Sequence, residues 1–420
     1  FRLNKKLLSN RYLRLLLVII GIASCIWTIK TAAAFGGSRF LTRTAVVLQN
    51  LAAAQTAIRL TPNDAQAYRA NAALLSQIDA KAECVMALEQ AIALRPSDYS
   101  LWLALGQMRD KMGDTPGALS ALNEAVALAP YYAHPRWQRG NVLLRAGQYE
   151  AGFTDLNLAA QSNPELLPNI IDLAWSVTRG DPQLVQELVE LKSDKARLLF
   201  AGFLANRGRP AEAIEQSSAA GNLNENEGRE LVQQLLAKRA FGEAFQVWAA
   251  PQGNSATTTP TFYDGGFEGT LSTNEIGFGW RLPATNSLKL SVDTNQPHSG
   301  AKSLRIEFAG DPNSALLSQL LIVEPSTRYR ISFAARTEEI VTGGRPVVVV
   351  NDTAETGGEL GKSGVLDKGT TDWRSFSFEF TTSPKTNAVS VVVSRERCPT
   401  SPCPIFGSIG LDSFSIERLR

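Results

Sequence analysis

Two histidines and four cysteines are the chain's whole stock of imidazole and thiol. His134 and His298 lie far apart and neither stands in a motif. Cys25, Cys84, Cys398 and Cys403 include no CxxC pair, so neither a zinc site nor a dithiol redox pair is expected. With the two histidines in different regions, a Ser-His-Asp arrangement has no plausible order along the chain. The stretch "GGELGKSG" at 357–364 has phosphate-loop residue types at the wrong spacing, and between strand-like runs it reads as a flexible turn. A glycosidase needs two acids flanking a sugar, and the C-terminal half has acids but is not read as a catalytic fold. What remains is "CPTSPC", Cys398 to Cys403, whose proline-stiffened loop reads as a short disulfide in an exported chain. It closes a small loop, so its main effect is local order. No catalytic residue and no organic cofactor is expected, and the protein reads as a non-enzyme.

The elements that carry these residues begin with an apolar segment. The chain has 420 residues, 44% apolar and 20% charged, with a net charge of +2. That composition is globular, and without long basic runs beyond the first fourteen residues nucleic acid is not an expected partner. No charge interrupts Leu15 to Ile29, while Arg2, Lys5, Lys6, Arg11 and Arg14 precede that run and fewer basic residues follow it. Extended by Tyr12, Leu13 and Ala32 to Ala34, the segment reads as a membrane anchor over residues 12–34 within an N-terminal region 1–34. The charge bias places the N-terminus inside and everything after Lys30 outside the cytoplasm. "TAAAF" also offers a signal-peptidase-like site ending at Ala34, so a cleaved signal is the alternative, and both export the rest.

Pro62, Pro96, Pro130 and Pro164 follow one another at intervals of 34 residues. Six residues after each of the first three comes a large group, Tyr68, Trp102, and Arg136 beside Trp137. Ten on comes a small residue (Ala72, Gly106, Gly140), seventeen on a turn former (Asp79, Gly113, Gly147) and twenty-two on Cys84, Ala118 and Gly152. Each unit therefore reads as two amphipathic helices in close approach, ended by a proline. One hairpin cannot bury its apolar face alone, whereas stacked copies form a right-handed α-solenoid. Cys84 is expected as a packed core thiol, and Tyr68, Trp102 and Trp137 as packing between hairpins. The period, the opening "WLALG" and the closing proline resemble the tetratricopeptide repeat (TPR). Full units cover about 65–164 within a repeat region 35–164, preceded by a truncated unit whose second helix is "AVVLQNLAAAQTAIRLTP". Degenerate hairpins with turns at Gly180, Gly208 and Gly242 are expected over 165–250. The resemblance implies a protein partner on the polar concave face.

Composition changes at "APQGNSATTTPTF", and 251–261 reads as a linker. Beyond it about eight short alternating runs, from "SLKLSV" to "LDSFSIERL", predict a β-sandwich or jelly roll over 262–420. The ordered pieces "GGFEG", "GW", "HSGAKSLRI", "VEPSTRYRISFAAR", "DWRSFSFEF" and "IGLDSFSI" resemble the galactose-binding-like, jelly-roll carbohydrate-binding modules. That resemblance implies a structural calcium ion on Glu268 and Asp412, with carbonyls near Ser299 and Lys302 completing the oxygen shell. It also implies a polysaccharide partner. Trp280 and Trp373 match positions that are structural in such modules, and Tyr329 sits in a core-like strand. The exposed candidates for sugar contact are Tyr263, Phe278 and Phe406, with Asn351, Asp352 and Glu355 in a loop.

Together these readings give a multidomain α plus all-β protein, a TPR-type solenoid followed by a jelly roll. The function they favour is a membrane-anchored, extracytoplasmic scaffold of the cell envelope, placed in exopolysaccharide or cell-wall assembly. The alternative is a self-associating structural subunit of a surface filament or larger membrane complex, a homo-oligomer, for which the non-Met start at Phe1 is the motive.

Overall fold

A computed structural model describes residues 11–221, 223–252, 260–272, 275–282, 287–310, 315–354, 358–398 and 402–420. The chain divides into two compact units, Phe1–Glu190 and Leu191–Arg420. The boundary between these units falls inside the helical region.

The first unit is all helix. Helix α1 runs from Arg11 to Leu48 and α2 from Leu51 to Leu60. The pairs α3 (Ala65–Gln77) and α4 (Lys81–Leu94), α5 (Tyr99–Lys111) and α6 (Thr115–Leu128), and α7 (Ala133–Arg145) and α8 (Tyr149–Ser162) follow, then α9 (Leu167–Val177) and α10 (Pro182–Leu188). Helices α2, α4, α6 and α8 each end two residues before one of the spaced prolines. Asp64 and Asp98 then cap the next helix by accepting from the amides of Gln66 and Ser100 at 3.1 and 3.0 Å.

The small-residue slots meet as the spacing requires. A Cβ on Gly140 would lie 2.9 Å from the Gly152 carbonyl oxygen, and one on Gly106 would lie 2.5 Å from Leu122 Cγ. In the first full unit the buried Cys84 thiol donates to Ala72 O at 3.2 Å. The six-residue slot does more than pack. Trp102 Nε1 donates to Pro96 O at 2.8 Å, and Arg136 Nε donates to Pro130 O at 2.8 Å. Two different side chains thus satisfy the same carbonyl in consecutive units.

The expected truncated unit is complete. Helix α1 does not stop after the apolar segment; its last turns pair with α2 to form a first hairpin. Ser38 and Ala45 are buried there, and Ser38 Oγ donates to Ala57 O at 3.2 Å.

The second unit opens with α11 (Asp194–Asn206), α12 (Pro210–Ala219), α13 (Glu225–Ala237) and α14 (Phe241–Ala249). Gly180 and Gly208 hold left-handed turns as expected, at φ +83° and +74°. Gly242 lies within α14 instead, and Arg239 takes the positive φ, 60°, before it. The β-sandwich pairs a five-stranded antiparallel sheet, β1 (Leu288–Asp293), β2 (Ser303–Gly310), β9 (Ile405–Arg418), β4 (Arg328–Thr342) and β7 (Gly369–Thr381), in that order. The second sheet runs β3 (Leu317–Ile322), β8 (Ala388–Arg395), β5 (Pro346–Asp352) and β6 (Glu359–Lys362). Strand β6 lies in "GGELGKSG", which is therefore sheet and not a flexible turn. Its residues pair with Val349, Val350 and Asn351, giving that polar stretch a ladder the sequence does not announce.

Alternation fills the core. Tyr329, Ile331, Phe333 and Ala335 of β4 point inward, as do Leu304 and Ile306 of β2 and Ile409 and Leu411 of β9. The buried Tyr329 hydroxyl accepts from the Glu324 amide at 2.9 Å. Trp280 is structural, as expected; it packs on Phe262, Phe267 and Phe414 and donates to Asp264 O at 3.0 Å.

Candidate functional site

The phase that buries Phe376, Phe378 and Phe380 of β7 against the core puts Trp373 on the sheet's outer face. The same phase on β4 turns Arg336 outward. The indole crosses β4 towards β9, where Gly410 makes room: a Cβ there would lie 2.8 Å from Arg336 Cγ and 3.1 Å from Trp373 Cη2. Arg336 stands 5.3 Å from the indole centroid. Its guanidinium donates to Asp293 Oδ2 and Gln296 Oε1, both at 2.5 Å, and Trp373 Nε1 donates to Gln296 O at 3.0 Å. An Asx turn, Asn295 N donating to Asp293 Oδ1 at 2.9 Å, shapes the loop that brings Asn295 and Gln296 to this face.

The result is an open cleft of about 390 Å³, lined by Trp373, Arg336, Asp293, Asn295, Gln296 and Thr371 among others. Arg305 and Glu338 form part of its lining, joined at 2.6 Å. Hydrogen bonds from Arg305 and then Ser408 hold the Glu338 carboxyl below the usual carboxylate range. An indole beside planar amide, carboxylate and guanidinium groups suits a neutral polyhydroxylated ligand: the ring covers C–H faces while the polar groups address hydroxyls.

The cleft loop is anchored at its far end. Asp412 Oδ2 accepts from the amides of His298 and Ser299 at 2.9 and 3.0 Å, and Glu268 Oε1 accepts from those of Ala301 and Lys302 at 2.7 and 3.1 Å. Gly300 between them is required: its φ is +64°, and a Cβ would lie 2.0 Å from Glu268 Oε1. Phe414 N donates to Gly265 O at 2.8 Å, so "GGFEG" is tied directly to the last strand. Glu268 and Asp412 therefore converge on one loop, and two carboxylates are the hard donors a calcium ion would take. Ser299 and Lys302 turn amide N–H groups towards these carboxylates, so a calcium ion would share oxygens that already accept hydrogen bonds. Among the described residues no group of three or more His, Cys, Asp or Glu side chains forms a metal cluster.

His298 and Ser413 are brought together from distant parts of the chain, with His298 Nδ1 2.9 Å from Ser413 Oγ. Asp412 addresses backbone amides and Ser413, not the imidazole, so the third member of a relay is not assembled.

The residues expected to touch sugar do not gather. Phe278 is only 2% exposed, packed at 5.2 Å on Phe245 and 5.7 Å on Trp248 of α14, which corrects its place among exposed candidates. Tyr263 is partly exposed with its ring 4.9 Å from Trp248. Both rings thus join the last helical hairpin to the sandwich. Asp352 is buried as well, accepting from Ala354 N and Thr386 Oγ1 at 2.8 and 2.6 Å. Asn351 lies half-buried on β5 opposite Ser390, on the other sheet. Phe406 is exposed, and Glu355 falls outside the described residues. Cys398 and Cys403 form the expected disulfide. Trp373 was assigned a structural role by resemblance, yet the alternation of "DWRSFSFEF" already held the signal for its outward face.

On the helical side, polar side chains meet where the first helices of consecutive hairpins approach. Gln107 of α5 and Gln138 of α7 each place an amide nitrogen 3.4 Å from His134 Nε2, and Arg145 pairs with Asp110 at 2.6 Å.

Residues 259–401 match the family model of a carbohydrate binding domain. No curated protein matches the chain in sequence. Among solved structures, MamA from Desulfovibrio magneticus RS-1 is 21% identical, with 38% of this chain and 90% of that chain covered at a TM-score of 0.33. YrrB, described as a TPR protein with an unusual peptide-binding site, is 18% identical over 46% of this chain and 88% of its own, at a TM-score of 0.26. A CBM4 structure is 13% identical over 38% of this chain and 99% of its own, at 0.29. The chain is a TPR-like helical region followed by a carbohydrate-binding-domain-like β-sandwich.

Proposed function

We propose that this protein is a membrane-tethered, non-enzymatic scaffold of the cell envelope that holds a polysaccharide in the Trp373 cleft while its TPR-like hairpins hold a protein. The carrying observation is the Trp373–Arg336–Asp293 cleft within the segment that matches a carbohydrate-binding family. The apolar run of α1 and the Cys398–Cys403 disulfide support a tether with the folded regions outside the cytoplasm. The polar meeting of α5 and α7 supports the protein-binding half.

The test is affinity electrophoresis and glycan-array binding with the full chain in mild detergent. Trp373→Ala is expected to weaken polysaccharide binding by about 10–100-fold, as loss of about 1.5–3 kcal/mol of buried aromatic surface implies. Binding of no polysaccharide at all would sink the saccharide half, and undiminished binding by Trp373→Ala would move the site elsewhere. Calcium on Glu268 and Asp412 belongs to the same proposal as a clamp on the cleft loop, and chelation is its test.

A further inference from the structure

We propose that one edge of the helical region in the first unit, the edge carrying the α2–α3, α4–α5 and α6–α7 loops, rests on the bilayer interface. The inference depends on the membrane tether and adds to it the orientation and the surface in contact with lipid.

The first observation is that α1 runs as one continuous helix from the apolar segment into the first hairpin. About 20 residues from Leu15 onward are enough for the roughly 30 Å hydrocarbon layer. The helix then continues through Leu48, and its later turns are half of the first hairpin. This junction is fixed by buried contacts: Thr61 Oγ1 donates to Ser38 Oγ at 2.5 Å, and Arg39 pairs at 3.0 Å with Asp64, whose side chain is 2% exposed. From Ser38 onward α1 therefore cannot leave the hairpin without breaking these contacts, and the helix runs unbroken through Gly36 and Gly37 to join this part to the apolar segment.

The second observation is direction. Where α1 enters the hairpin, its neighbours are Ala57, Thr61 and Asp64, the end of α2 and the start of α3. In a stack of antiparallel hairpins, every loop from a second helix to the next first helix lies on that same edge. A continuous α1 rising from the membrane turns this edge towards it and turns the Gly113 and Gly147 edge away.

The third observation is what this edge exposes. Phe40 is 69% exposed and Tyr131 88%, and Leu60, Leu94, Leu128 and Tyr132 also face outward. Leu60, Leu94 and Leu128 recur at the repeat period. Arg59 and Arg95 are exposed beside Leu60 and Leu94 in the chain. Aromatic and aliphatic groups interleaved with arginine are the composition of a lipid headgroup interface, where tyrosine rings and snorkelling basic chains reside. Continuity with the apolar helix makes the occupant the bilayer itself.

Spin labels test this in the full chain reconstituted into phosphatidylcholine–phosphatidylglycerol vesicles. One label goes on native Cys25, one on Tyr131→Cys, and one on Tyr149→Cys at the opposite edge of the same hairpin, each as the sole reactive thiol with Cys84→Ala. Collision with oxygen and with a water-soluble nickel complex reports depth. The label at 131 is expected to be several-fold less accessible to nickel than the label at 149, with Cys25 shielded more strongly still. Equal nickel access at 131 and 149 with Cys25 shielded would overturn the edge alone. Nickel access at Cys25 would overturn the tether and the edge with it.

Discussion

Replacing Gly140 by alanine sets two known effects against each other, and the close approach of α7 and α8 decides the sign. In an open helix the change stabilises by about 1 kcal/mol, because glycine loses more backbone freedom on folding. At Gly140 the new Cβ would lie 2.9 Å from the Gly152 carbonyl oxygen and 2.9 Å from Leu156 Cγ. The oxygen belongs to a helix backbone and cannot rotate away as a side chain can, so α7 and α8 must part. Forcing a methyl into a packed interface costs about 1–3 kcal/mol, with this backbone contact in the upper part of that range. The net expectation is a loss of about 1–2 kcal/mol, or a fall of roughly 2–8 °C in the helical melting transition followed by circular dichroism at 222 nm. Gly228→Ala in α13 is the contrast, since its nearest atoms lie 3.8 Å away and it should gain up to about 1 kcal/mol. A Gly140→Ala protein as stable as wild type, or more so, would refute the claim that the ten-residue and twenty-two-residue slots are held small by helix contact.

Two further outcomes concern the β-sandwich. Glu338 is held below the usual carboxylate range by hydrogen bonds from Arg305 and Ser408, and Glu379 likewise by Arg330. The stabilisation is therefore complete above the ordinary glutamate value of about 4.3 and is lost as pH falls through the lowered folded value; the sandwich melting temperature should stay flat from about pH 7 to 5 and drop below about 4, and a decline already between 7 and 5 would contradict it. If calcium clamps Glu268 and Asp412, chelation with EGTA should lower that melting temperature and restored calcium should raise it again, whereas an unchanged melting curve would leave the hydrogen bonds around the 298–302 loop to tie it without an ion.

Much of the architecture is legible in local sequence because it depends on local rules. A proline every 34 residues, with small residues at set distances from it, determines where helices end and which faces touch. Alternation in "RYRISFAAR" and "WRSFSFEF" determines two strands and their inner faces, and it already carries the outward phase of Trp373. Composition determines the apolar helix, and the paired cysteines of "CPTSPC" determine the disulfide.

Other features depend on groups far apart in the chain. Strand β6 exists because β5 supplies a ladder partner to a polar, glycine-rich segment with weak strand propensity of its own. Phe278 is buried because α14 presents Phe245 and Trp248 to it, which no local pattern around "GFGW" can reveal. Helix α1 continues past its apolar segment because Ser38, Arg39 and Ala45 find buried partners on α2 and α3. The binding cleft is the clearest case. Periodicity turns Trp373 and Arg336 outward, but only antiparallel pairing of β7, β4 and β9 lays the indole over Gly410, and the loop that brings Gln296 to it is held by groups from distant segments, Glu268, Asp412 and Ser413. A face is a property of one strand's backbone, whereas a site needs distances between strands, and those are fixed by register and loop anchoring.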